Sequence, residues 1–284
     1  MAATRPMPTA VTSSPDSSPT IKFEGVRIGF EGRDILRAVS FQVQERETLV
    51  LLGETGMGKT LSLKLAAGLL RPSRGNIQVL GRDVSSMDER DLLAFRRQIG
   101  FVFQEGALFD SMTVGENVAY RLHEDRVKDD EVEVRVREVL RFVELEHTLD
   151  LFPSELSGGM RRRVSIARAL INQPPIVLYD SPTAGLDPVT SQTIITLILR
   201  LRDVFGVTAL LATQRLQDGF ALANFRFDAA SKRVVHDVSN GNAAHGPKMA
   251  ATRFLVLRDG GVYFEGGQEE LADTKDEYLK RFLV

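Results

Sequence analysis

The sequence predicts an α/β fold with a mostly parallel central sheet and a separate antiparallel β portion. Short, predominantly apolar runs at 48–52, 176–179 and 207–212 suit strands buried on both faces, as in a parallel sheet covered by helices. Helical stretches at 60–70 and 191–204 interleave with those runs, which is the alternation that builds such a sheet. Residues 21–28 and 39–43 instead alternate apolar and polar side chains, as half-buried antiparallel strands do.

The remaining stretches follow in order. Residues 1–20 are rich in Pro, Ser, Thr and Ala and read as a disordered leader, which leaves one large domain over 21–284. A polar, helix-rich portion begins near 104 and is expected to form a helical subdomain to about 165, with dense charge between 124 and 141. The segment 226–249 is polar, carries Ser-Asn-Gly-Asn at 239–242, and reads as an extra surface hairpin or loop. Two apolar stretches at 254–257 and 261–264 flank Asp259-Gly260, a strong hairpin signal.

Composition excludes several classes of function. The net charge of −2 gives no basic surface for nucleic acid, so no nucleic-acid partner is expected. With no cysteine, disulfides and thiolate metal sites are ruled out. No apolar run reaches the roughly 18–20 residues that cross a bilayer, and the first 20 residues lack the apolar core of a signal peptide. Any membrane role is therefore expected to come through partner subunits.

Gly53, Glu54, Thr55, Gly56, Met57, Gly58, Lys59 and Thr60 spell G-x4-G-K-[ST], between an apolar strand and a helical stretch. Glycines let the backbone curl so that successive amides face a phosphate, and the helix N-terminus adds favourable potential. Lys59 would bridge the β- and γ-phosphates of a nucleotide and Thr60 would ligate Mg²⁺; Leu61 and Ser62 flank the loop. A second apolar strand ending in Asp180 would set a carboxylate beside that metal at the carboxyl edge of the sheet. The fold class is accordingly a P-loop NTPase core.

Between these two motifs lies Leu156-Ser157-Gly158-Gly159-Met160, followed by Arg161–Arg163 and Val164-Ser165-Ile166-Ala167-Arg168-Ala169-Leu170. This string strongly resembles the signature motif of ABC ATPases, and the resemblance covers about 21–284 apart from 226–249. It implies that Ser157, Gly158 and Gly159 contact the γ-phosphate held by a second ATP-binding protomer. It further implies that Phe30 stacks on adenine and that Gln104 senses Mg²⁺ from the Q-loop. Ala184-Gly185-Leu186-Asp187 would be the D-loop that crosses the dimer interface. ATP and Mg²⁺ are the implied ligands, with membrane permease subunits as partners and the cytoplasmic face of the membrane as location. Arg163 matches a family position, but the arginine run reads mostly as a solvated helix face.

A narrower similarity, to Mce/Mla-type lipid-trafficking ATPases, rests on Phe103-Gln104, Gly106-Ala107-Leu108-Phe109, Met112-Thr113-Val114 and Glu116-Asn117-Val118-Ala119-Tyr120. Glu265-Gly266 and Arg281-Phe282-Leu283 fit that group too. Two positions depart from the family pattern. Ser181 follows Asp180 where a glutamate is expected to polarise water, and Gln214 stands where a histidine is expected to contact the γ-phosphate. A serine hydroxyl is a poor general base at neutral pH, and such assistance is worth about 10²–10⁴ in rate. The expectation is therefore sound ATP binding with slow hydrolysis, the alternative to full coupling being a regulatory subunit with little turnover. His236 and His245 are the nearest histidines along the chain, in the extra segment.

Overall fold

Alternating apolar residues pair β1 (Ile21–Phe30) antiparallel with β2 (Arg33–Val43), the inward set Ile21, Phe23, Val26 and Ile28 being buried. Glu31 and Gly32, both at positive φ, make the turn between them. The computed structural model describes residues 18–237 and 251–283. Most of the expected leader, positions 239–242 and His245 thus lie outside the described residues. Thr20, at the leader's end, is already held, because its carbonyl accepts from Leu80 N–H at 2.8 Å.

The chain continues through β3 (Thr48–Leu52), α1 (Lys59–Ala66), β4 (Arg74–Val79), β5 (Arg82–Asp83), α2 (Glu89–Arg96) and β6 (Ile99–Val102). Next come α3 (Val114–Glu124), α4 (Asp129–Phe142), α5 (Gly158–Leu170), β7 (Ile176–Asp180), α6 (Pro188–Phe205) and β8 (Thr208–Ala212). Then follow α7 (Leu216–Asn224), β9 (Phe225–Asp228), β10 (Arg233–His236), β11 (Thr252–Arg258), β12 (Gly261–Gly266), α8 (Gln268–Ala272) and α9 (Glu277–Leu283).

Among the described residues the strands form three sheets. The central one has six strands in the order β12-β11-β3-β8-β7-β6, parallel except for the β12 edge. A four-stranded sheet, β2-β1-β4-β5, is antiparallel, and β9 and β10 form a hairpin of their own. Because strand side chains alternate between faces, β3 feeds two cores. Leu49 and Leu51 join β1, β2, α1 and α2 on one face, whereas Val50 and Leu52 join the core formed with α3–α7.

Two helices end where glycine requires it. The first stops at Ala66 rather than reaching 70, because Gly68 sits at φ 64 and a Cβ there would lie 2.6 Å from a Leu92 methyl. The sixth starts earlier than the apolar pattern implied: Asp187 caps it, Pro188 opens it, and Gly206 at φ 64 closes it. Most of the charge between 124 and 141 lies on the outer face of α4, with Glu131–Arg135 and Glu133–Arg137 one turn apart and Val132, Val136 and Leu140 buried beneath. The hairpin β9–β10 accounts for the first part of the extra segment. Among the described residues, no helix is long and apolar enough to cross a membrane.

Candidate functional site

Parallel strands send their carboxyl ends to one edge of the sheet, and four loops meet there. The glycine loop leaves β3, Gln104 follows β6, Ser181 follows β7 and Gln214 follows β8. Since β3, β8, β7 and β6 are successive neighbours, the sequence-distant candidates become spatial ones.

The glycine loop is shaped by its backbone. Gly53, Gly56 and Gly58 have φ of 146°, 83° and 93°, values that L side chains rarely adopt. A Cβ on Gly53 would lie 2.6 Å from the Leu257 carbonyl, and one on Gly58 would meet Leu36 at 2.3 Å, so the loop is seated closely on β11 and β2. Glu54, Thr55 and Gly56 stay exposed at the tip, and Met57 packs partly beneath. Lys59 is buried and donates Nζ hydrogen bonds to the carbonyls of Gly53 (2.6 Å) and Glu54 (2.9 Å). Burial lowers its pKa, against the pull of nearby Asp180. Of the flanking residues, Leu61 joins the apolar core, and Ser62 is fully buried with its hydroxyl donating to the Gly58 carbonyl at 3.0 Å. Ser62 thus braces the loop from behind, away from any ligand at its tip.

Thr60 and Asp180 come together across 120 residues of sequence: the threonine hydroxyl donates to Asp180 Oδ1 at 3.0 Å. Burial raises the Asp180 pKa, while the Thr60 hydroxyl, Lys64, Ser181 and Lys59 act in the opposite direction. Two hard oxygens meeting beside a phosphate loop suit Mg²⁺, which takes one or two carboxylates and completes its shell with water and phosphate. No cluster of three or more His, Cys, Asp or Glu able to hold a metal exists among the described residues.

The two departures from the family pattern have defined surroundings. Ser181 adopts φ 48, its N–H donates to the Ala212 carbonyl at 2.8 Å, and it is among the groups that hold the Asp180 pKa down against burial. Gln214 donates from Nε2 to Thr55 Oγ1 at 3.2 Å, which sets its amide against the phosphate loop. His236 ends β10 and packs against Phe225, with ring centroids 5.4 Å apart.

Other candidates lie farther out. Gln104 is exposed just beyond β6, and Phe30, at the end of β1, is 50% exposed, leaving its ring available for stacking. Ser157 caps α5, its Oγ accepting from Met160 N–H at 3.2 Å, with Gly158 exposed beside it. Gly159 is buried, and a Cβ there would sit 2.3 Å from Thr190 Cγ2 on α6. The D-loop runs into α6, where Asp187 accepts from both the N–H (3.0 Å) and the hydroxyl (2.5 Å) of Thr190.

The arginine run corrects the expectation of a solvated face. Arg162 is 6% exposed and donates to the Phe103 carbonyl at 2.8 Å, next to Gln104. Arg161 and Arg163 donate to the carbonyls of Leu156 (2.6 Å) and Val143 (3.0 Å), and Arg168 to those of Gly106 and Ala107. These arginines tie the signature helix to the Q-loop and to its neighbours. Asn117 folds the same loop, bonding both amide and carbonyl of Phe109. A charge run carries no mark of which carbonyls it will meet, so sequence reasoning missed Arg162 and Arg168. It likewise missed buried Asp218, whose carboxylate takes hydroxyls from Thr183 and Thr213.

Over residues 36–184 the sequence matches the ABC transporter family. It is 35% identical to the methionine import ATP-binding protein MetN of Bifidobacterium longum across 90% of this chain and 66% of that protein. It is 31% identical to the intermembrane phospholipid transport system ATP-binding protein MlaF of Haemophilus influenzae, across 82% of this chain and 89% of that one. The chain spans between about half and seven-tenths of the length of the methionine-import relatives it matches. Among solved structures, the ATP-binding cassette MJ0796, a dimer in a post-hydrolysis state with ADP and Pi, superposes with a TM-score of 0.71 at 28% identity, covering 87% of this chain and 98% of that one. With more than half of its 284 residues inside the family match, the chain belongs to the ABC transporter family.

Proposed function

We propose that this chain is the ATP-binding subunit of an ABC transporter, a dimeric ATPase at the cytoplasmic face of a membrane that drives permease partners. The observation that carries the reading is the glycine loop with Lys59, set beside the Thr60–Asp180 pair at 3.0 Å. The amides of Gly56, Gly58, Lys59 and Thr60 would receive the phosphates, with Lys59 exchanging the carbonyls of Gly53 and Glu54 for phosphate oxygens. Thr60, Asp180 and Gln104 would hold Mg²⁺, which neutralises phosphate charge. Phe30 would stack on adenine. Ser157, Gly158 and Gly159 of a second copy would cap the γ-phosphate from the helix N-terminus that Ser157 opens. The helical subdomain at about 104–165 would present the Q-loop to the permease.

Ser181 and Gln214 are the ground for a second reading, an ATP-binding regulatory subunit with little hydrolysis of its own. Kinship with a cassette captured after hydrolysis weighs against it. Turnover of the purified chain, alone and with its permease, separates the two readings: measurable ATPase activity is expected, and tight binding without turnover in either preparation would support the regulatory subunit.

For the cargo, the Phe103–Tyr120 stretch and the near full-length match to MlaF support a lipid, whereas the methionine importers among the relatives support an amino acid. Stimulation of the reconstituted complex by phospholipid but not by methionine is the result expected for the lipid reading.

A further inference from the structure

Asp218 lies in the first turn of α7 and is only 3% exposed. Its Oδ2 accepts the Thr183 hydroxyl in a short hydrogen bond and the Thr213 hydroxyl at 3.1 Å. Both threonines are buried, one in the loop beyond Ser181 and the other immediately before Gln214. Thr213 Oγ1 also accepts the Arg215 N–H at 3.0 Å, so its single proton is committed to the carboxylate. Arg215 then runs back across the gap. Its guanidinium donates to Ser191 Oγ at 3.1 Å and to the Thr183 carbonyl at 3.5 Å, and lies 3.8 Å from Asp218 Oδ1.

This arrangement is costly where an apolar one was available. Burying a carboxylate carries a desolvation penalty, and apolar residues of similar volume often pack at least as stably. Ladder pairing already joins β7 to β8 as far as Asp180 and Ala212. What the ladder leaves free is the geometry of the loops past those ends, and Asp218 bonds to one residue from each. Gln214, with tied residues on both sides, is held while its side chain faces Thr55.

We propose that Asp218 is a positioning residue that fastens the loop after β7 to the loop carrying Gln214, so that both meet the nucleotide phosphate as one unit. The consequence for turnover rests on the ATPase reading above; the fastening itself does not.

The test uses the full chain with its permease. Asp218→Ala is expected to lower kcat roughly tenfold, with the KM for ATP and the calorimetric ATP affinity changed by less than about twofold. Asp218→Asn still offers one oxygen to both hydroxyls and is expected to retain kcat within about threefold. In a Gln214→Ala background, Asp218→Ala is expected to add no further loss. An Asn variant as impaired as the Ala variant, or additive losses with Gln214→Ala, would overturn the proposal. Hydrogen exchange reads the fastening without turnover: Asp218→Ala is expected to speed amide exchange both at 184–187 and at 214–216. Acceleration in one loop alone sinks the coupling. A wild-type chain that hydrolyses nothing sinks the ATPase reading, and exchange still decides the coupling.

Discussion

Lys59 is buried and bonded only to loop carbonyls, Gly53 and Glu54, among the contacts described above. Neither bond is needed for the core, so Lys59→Ala is expected to leave the melting temperature nearly unchanged. Hydrogen bonds to charged groups contribute about 1.5–3 kcal/mol each, so losing two at a phosphate weakens ATP binding roughly 100-fold or more. Calorimetry showing unchanged affinity would refute the site. At Ser181 and Gln214 the question is hydrolysis. The serine hydroxyl is a poor general base, and a neutral amide at 214 supplies a hydrogen bond without positive charge. Residues acting in one step are strongly non-additive. Ser181→Glu with Gln214→His is therefore expected to raise turnover well beyond either single change, by up to about 10²-fold, the lower end of general-base assistance. An unmodified chain that already matches the double variant would show the two replacements to be catalytically silent.

At the scale of elements, the contact between α5 and α6 couples the signature motif to the D-loop. Gly159 allows it, since Thr190 Cγ2 occupies the space a Cβ would need. Overpacking of this kind costs about 1–3 kcal/mol, so Gly159→Ala is expected to lower the melting temperature measurably. Thr190→Ser removes the offending methyl but keeps the hydroxyl that Asp187 accepts, and the next nearest atoms then stand at 3.6 Å. The pair Gly159→Ala with Thr190→Ser is expected to recover most of the loss. No recovery in thermal melts would show that glycine is required there for another reason. Asp218 permits a second check at this scale. Burial raises its folded-state pKa, and a carboxylate so shifted detracts from stability above its unfolded pKa, a penalty relieved as pH falls through the folded value. Near neutral pH, Asp218→Asn is accordingly expected to leave thermal stability unchanged or higher.

For the whole molecule, the phosphate loop opens α1 at the carboxyl edge of the sheet, whereas Ser157 opens α5 in the helical portion. If a complete site takes the loop from one copy and Ser157 from another, Mg·ATP is expected to shift the protein from monomer toward dimer in sedimentation. Ser157→Arg would place a bulky cation at the cap and is expected to abolish that shift while leaving ATP bound to the monomer. A nucleotide-independent monomer, even with the permease present, would count against the paired site.

Local chemistry was readable along the chain. The glycine loop, the apolar strand before Asp180 and the Asp-Gly turn at 259–260 depend on a few neighbouring residues, and backbone sterics confine them to few conformations. The α/β class followed from the same kind of signal, because periodicity reports which faces are buried. Tertiary structure decided what depends on distant partners. Thr55 meets Gln214 across 159 residues, and Arg162 meets the Phe103 carbonyl across 59. Nothing in a run of arginines, or in a lone aspartate at 218, indicates which carbonyls or hydroxyls packing will bring to it. The end of α1 belongs partly with these, since Gly68, already favoured by its φ of 64, is further confined by Leu92 from another helix. A side chain's type and spacing limit the bonds it can make, and the order of strands in the sheet selects the ones it makes.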